Sequence, residues 1–89
     1  MSAEITQEVI ERFLVGGRLV QMPAKHAVRL AVLDRVAQSF EIGVRYSEKD
    51  VNTVLAGFFD DYAALRRYLI DNDLLSREDG VYWRSGGTV

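Results

Sequence analysis

The side chains in this sequence that could act on a substrate or hold a metal are few. There is one histidine, His26, an adjacent carboxylate pair, Asp60 and Asp61, and no cysteine. A multi-histidine metal site is therefore excluded, and so are a thiolate site and a disulfide framework. Adjacent residues in a helix diverge by about 100°, and no third ligand stands at a recognisable spacing from the two aspartates. Asp60 or Asp61 is instead expected to cap a helix, with both acids at its positive end. His26 falls near the start of a helix and is expected at the surface. The Gly16–Gly17 pair could present backbone N–H groups to a phosphate, but neither a lysine nor a Gly-x-Gly pattern follows, so it reads as a plain turn. With no nucleophile motif and no nucleotide-binding loop, the chain is expected to be no enzyme and to carry no cofactor or metal. What remains is recognition. Arg66 and Arg67 are candidate base or phosphate contacts to DNA, and Arg77 and Arg84 are candidate phosphate contacts. Phe59, Ala63 and Ile70 form a second candidate set, an apolar protein interface.

The stretch that must position these residues runs from Phe58 to Arg84, FFDDYAALRRYLIDNDLLSREDGVYWR. It reads as a helix over 61–71, a turn at Asn72 and Asp73, and a hairpin over 74–84, the second half of a winged helix-turn-helix. Phe58, Tyr62, Leu65 and Leu69 share the face expected to be buried, and Phe59, Ala63 and Ile70 lie away from it. Asp79–Gly80 between two alternating runs is a strong hairpin signal. Leu75 on one strand, with Val81 or Trp83 on the other, is expected to close the core.

Earlier elements complete the scaffold. Ser47 and Asp50 match a capping box, and Val51, Val54, Leu55 and Phe58 give helical spacing over 47–58. Pro23 suits the first turn of a helix over 23–40, whose apolar arc holds Leu30, Leu33, Val36, Ala37 and Phe40, with Val28 and Val32 extending it. Arg29 falls inside that arc, its stem expected on apolar surface and its head in water. A short strand is expected over 18–22, and an amphipathic N-terminal helix over 4–14, with Ile5, Val9 and Phe13 in register. The closing SGGTV has the composition of a frayed end. The fold class is α+β, mostly α: an N-terminal helix and a three-helix core with a C-terminal β-hairpin wing, in a single winged-helix-like domain over 1–89.

Composition agrees with one folded unit. At 89 residues the chain supports one core, and 48% apolar with 27% charged residues is ordinary for a globular domain. The N-terminus lacks the basic start and apolar run of a signal peptide, and no stretch approaches 18 apolar residues, so the expected location is the cytoplasm, away from membranes.

Four blocks carry a family resemblance: GRLVQMPAK at 17–25, LAVLDRVAQSFEIG at 30–43, YSEKDVN at 46–52, and the stretch at 58–84. In this order they resemble a small bacterial family of uncharacterised domains, often attached to ArsR-type helix-turn-helix regulators and also occurring alone. The resemblance implies a winged-helix-like fold and an association with transcription regulation. It brings no ligand or catalytic residue. Unlike the fused members, these 89 residues hold no second DNA-binding domain.

Two functions are consistent with this reading. The first is DNA binding, with the helix over 61–71 in the major groove and the hairpin against the minor groove or backbone. The net charge of −2 and the four aspartates and two arginines between Phe58 and Asp73 oppose it. Arg67 and Asp71, four apart, could also simply pair. Positive charge gathers earlier, at Arg18, Lys25, Arg29, Arg35 and Arg45, where it could serve backbone contacts or balance the acidic face. The alternative is a protein-interaction or dimerisation module, paired with a regulator protein or with a second copy.

Overall fold

Two side-chain caps set the centre of the fold. In the computed structural model, which describes residues 7–89, the Asp50 N–H donates to Ser47 Oγ at 3.1 Å and opens α3 (Glu48–Ala56). The Ala64 N–H donates to Asp61 Oδ1 at 3.1 Å and opens α4 (Tyr62–Asp71). Each cap satisfies an otherwise orphaned donor and contributes about 1 kcal/mol. The far end of α4 is closed by backbone geometry. Asp73 takes the left-handed conformation (φ 59°), its N–H reaches the Ile70 carbonyl at 3.1 Å, and the Leu74 N–H reaches Leu69 at 2.9 Å. That pair of bonds is a Schellman closure, and it delivers Leu74 into the core.

The remaining elements follow in chain order: α1 (Gln7–Phe13), β1 (Leu14–Val15), β2 (Arg18–Leu19), α2 (His26–Ala37) and β3 (Arg45–Ser47) before α3, then β4 (Leu75–Glu78) and β5 (Val81–Arg84) after α4. β1 and β2 form a small antiparallel ribbon, and β3, β5 and β4 form an antiparallel sheet with β5 in the middle. From α2 onward the order is helix, strand, two helices, hairpin, with the early strand β3 joined to the returning strand of the wing. This α+β arrangement is winged-helix-like. Both hairpin turns place their two central residues, Gly16–Gly17 and Asp79–Gly80, at positive φ, the geometry whose twist matches the flanking strands.

Leu33, Val36, Ala37 and Phe40 from the second helical segment meet Val51 and Leu55 of α3, Leu65 and Leu69 of α4, and Leu74, Leu75 and Tyr82 of the wing in one buried cluster. Phe40 is held edge-on to Tyr46, with ring centroids 5.2 Å apart.

Several expectations are corrected. Helix α2 begins at His26 rather than at Pro23, whose ring is fully buried; Lys25 is the N-cap and has no side-chain acceptor to offer. After Ala37 the chain tightens, with the Ser39 and Phe40 N–H groups bonding carbonyls three residues back, so Phe40 still reaches the core. The strand expected over 18–22 is only Arg18–Leu19, and its partner is Leu14–Val15, whose Leu14 is the expected end of the first helix. The start of that helix, with Ile5, lies outside the described residues. Tyr62 is 40% exposed instead of buried with Leu65 and Leu69. In the wing, Tyr82 is the fully buried ring and Trp83 lies on the other face, with Arg45 5.0 Å from its centroid. Side chains alternate along a strand, so moving the inward position by one residue exchanges the faces of all its neighbours.

The tail is also tied down. Asp34 accepts from the Thr88 N–H at 2.7 Å and the Thr88 hydroxyl at 2.9 Å, and Ser85 bonds back to Leu74 and Asp73.

Candidate functional site

The exposed face of α4 and the first wing strand enclose an open groove of about 770 Å³, lined by Ala63, Ala64, Arg66, Arg67, Tyr68, Ile70, Asp71 and Arg77. Three of the four arginines expected to touch DNA therefore meet in one place. Helix α4 brings Arg66 and Arg67, and β4 brings Arg77, carried to the groove by the short connection through Asp73.

The three guanidinium groups are held differently. Arg66 is half-buried and donates to Asn52 Oδ1 on α3. Arg67 is exposed and makes no hydrogen bond or ion pair among the described residues. The i, i+4 pair expected with Asp71 does not form, consistent with the base standing N-terminal to the acid, the poorer orientation on a helix. Arg77 donates to the Tyr82 hydroxyl at 3.3 Å, and that hydroxyl donates in turn to Glu48 Oε1 at 2.7 Å. The hydrogen bond to the Tyr82 hydroxyl, and behind it the Glu48 carboxylate, push the Arg77 guanidinium above its ordinary value.

Two of the acids that flank α4 are engaged by the fold. Asp60 is bridged to Arg18 at 2.6 Å, and Arg18 also donates to the Ala56 and Gly57 carbonyls at the end of α3. Asp61 is engaged in capping α4. Among the described residues, the groove lining holds three guanidinium groups and one carboxylate, Asp71.

The other expected site residues are placed elsewhere or differently. Arg84 is half-buried and donates to the backbone carbonyls of Gly86 at 2.9 Å, Phe40 at 3.2 Å and Thr88. Its guanidinium is engaged by the fold and does not line the α4 groove. Phe59 and Ile70 do not stand away from the core; both are half-buried and pack against it, and the turn before α4 folds Phe59 back through a bond from its N–H to the Leu55 carbonyl. Ala63 is exposed and lines the groove with Ile70, whereas Phe59 does not. Arg29 bonds the Pro23 and Ala24 carbonyls, each at 3.3 Å, and lies 5.4 Å from the Tyr68 ring centre, so its head is engaged by protein.

Asn52, Glu48 and Tyr82 were not singled out from sequence. A two-residue Asp79–Gly80 turn places Arg77 opposite Tyr82, so that pair was readable; the contacts of Asn52 and Glu48 join separate elements and carry no local signal. Asn52 also lines a shallower neighbouring groove of about 450 Å³ with Glu48, Lys49, Thr53, Ala56 and Tyr62.

Chemically, the arrangement offers charge-assisted donors to an anionic partner. Among the described residues no group of three histidine, cysteine or carboxylate side chains could hold a metal, and no helix is long and apolar enough to cross a membrane. Neither curated proteins nor solved structures give a match to the chain. A family of bacterial domains does match, over residues 18–84, from β2 to the end of β5, and the chain belongs to it: the family described as uncharacterized protein conserved in bacteria (DUF2087).

Proposed function

We propose that this domain binds double-stranded DNA through the α4 groove, in a role associated with transcription regulation. The observation that carries the reading is the convergence of Arg66, Arg67 and Arg77, from two elements, on one open surface. A major groove about 12 Å wide admits an α-helix about 10–12 Å across, and α4 offers ten residues, about 15 Å, along it. Arg66 and Arg67 would face base edges or phosphates from the helix, and Arg77 would reach a phosphate from the wing. The link with regulation draws on the resemblance to domains joined to ArsR-type regulators.

Three cationic contacts set the expected strength. Counterion release gives a log–log salt slope of about −3 for three phosphates, so binding should be weak and steeply salt-dependent. Titration of pooled genomic fragments at about 50 and 200 mM salt should show a large loss of affinity between the two. Absence of salt-sensitive binding at both would remove this reading.

A second reading, a protein-interaction module, draws on exposed Ala63 and half-buried Ile70 in the same groove. It predicts that Ile70→Asp changes the sedimentation of the protein, alone or with a regulator partner, while no DNA is bound. Unchanged sedimentation in both cases removes it.

A further inference from the structure

The three groove arginines differ in what lies behind them, and Arg77 has the longest support. We propose that Tyr82 is a positioning residue: its hydroxyl, braced by Glu48 at the start of α3, holds the wing guanidinium of Arg77 in the α4 groove before any ligand arrives. That the groove's ligand is DNA rests on the reading above; the positioning itself does not.

The geometry is specific. The Tyr82 ring is fully buried and cannot move without disturbing the core. Its hydroxyl stands at the edge of that core, donating to Glu48 Oε1 at 2.7 Å and leaving a lone pair for Arg77 at 3.3 Å. With the proton directed to the carboxylate, the oxygen is set as an acceptor, and a guanidinium offers only donors. Register supplies the rest, since Arg77 and Tyr82 face each other across β4 and β5, so both side chains project from the same side of the sheet. The chain from Arg77 to Tyr82 to Glu48 thereby joins the wing to the first turn of α3, whose Asn52 holds Arg66. A mobile arginine loses rotamer freedom when it binds, and ordering it in advance removes part of that cost. Arg67, with no partner among the described residues, is the internal comparison.

The test uses the full chain and four variants: Tyr82→Phe, Glu48→Ala, Arg77→Ala, and Tyr82→Phe combined with Arg77→Ala. Tyr82→Phe keeps the buried ring; Glu48→Ala, at an exposed position, removes the brace without touching the core, and decides the matter if the phenylalanine variant does not fold. Nitrogen-15 relaxation at arginine Nε should show Arg77 restrained relative to Arg67, with the restraint lost in Tyr82→Phe and reduced in Glu48→Ala. If Arg77 is as mobile as Arg67 in the unaltered chain, or equally restrained in all folded variants, the proposal is overturned whatever the protein binds.

The functional consequence is measured with a mixed-sequence duplex of about 20 base pairs at low salt. One hydrogen bond's worth of ordering corresponds to a weakening of about fivefold in Tyr82→Phe. That loss should vanish when Arg77 is already alanine. An equal loss in both backgrounds would show Tyr82 acting otherwise than through Arg77 and would overturn the proposal. No duplex binding by the unaltered chain would defeat the DNA reading, and the relaxation data would still decide the role of Tyr82.

Discussion

Arg67 and Arg84 carry the same charge into very different settings. Arg67 is exposed on the outward face of α4, without a partner among the described residues, whereas Arg84 donates to three backbone carbonyls around the end of the second helical segment and the tail. A side chain with no intramolecular partner can be removed at little cost to the fold, while removing Arg84 leaves partly buried carbonyls unmet. Arg67→Ala should therefore change stability by less than about 0.5 kcal/mol and reduce the magnitude of the DNA salt slope by about 1. Arg84→Ala should do the reverse, lowering stability by about 1 to 2 kcal/mol and leaving the slope unchanged. Urea melts and anisotropy titrations of the two proteins decide this, and a lower slope in Arg84→Ala would restore that residue to the DNA-contact set. The two arginines are indistinguishable in sequence, because one partner of Arg84, the Phe40 carbonyl, is 44 positions away in the chain, and the Gly86 and Thr88 carbonyls reach it only through the fold of the tail.

At the scale of elements, local signals were legible and phase was not. The Ser47 cap, the Asp79–Gly80 turn and the apolar spacing of α3 and α4 depend on neighbours within a few residues, and each appears where the pattern puts it, except that Tyr62 leaves the buried face of α4. Strand β5 offers Val81, Tyr82 and Trp83 in succession, so either alternation would bury an apolar group, and the larger ring is not the one the core admits. The packing around Leu33, Leu69 and Leu75 selects Tyr82. Tyr82→Ala should cost about 3 to 5 kcal/mol and Trp83→Ala less than about 2, as read by chemical denaturation; the opposite ranking would place Trp83 in the core after all. The end of α4 gives a prediction of the other sign. Asp73 occupies left-handed backbone that favours glycine, so Asp73→Gly should raise stability by about 0.5 kcal/mol once the added freedom of the unfolded chain is subtracted. A loss of stability would mean that the aspartate side chain contributes to the turn.

At the scale of the molecule, the chain closes on itself through its last residues. The family match ends at Arg84, yet the five residues beyond it, which looked like a frayed end, are bound to helix α2 and to the turn after α4. Glycine content suggested disorder because composition carries no record of contacts spanning 54 positions, such as that of Thr88 with Asp34. In this tail, glycine permits close approach. A Cβ at Gly86 would lie 2.6 Å from the Asp73 carbonyl oxygen and 3.6 Å from the Leu74 Cα, both backbone atoms fixed by the closure of α4. They cannot give way without loosening the turn that seats Leu74 in the core. Gly86→Ala should therefore destabilise the whole domain by about 1 to 3 kcal/mol, as overpacking does. For a domain of this size that is a fall in Tm of roughly 4 to 8 °C per kcal/mol. Ser85→Ala, which removes only a hydroxyl bond to the Asp73 carbonyl, should cost less. None of the tail residues or Asp34 lines the α4 groove, so DNA affinity measured well below the melting temperature should be the same in both variants as in the unaltered chain. A Gly86→Ala protein that melts unchanged would show that the tail rests on the domain without being part of its cooperative fold.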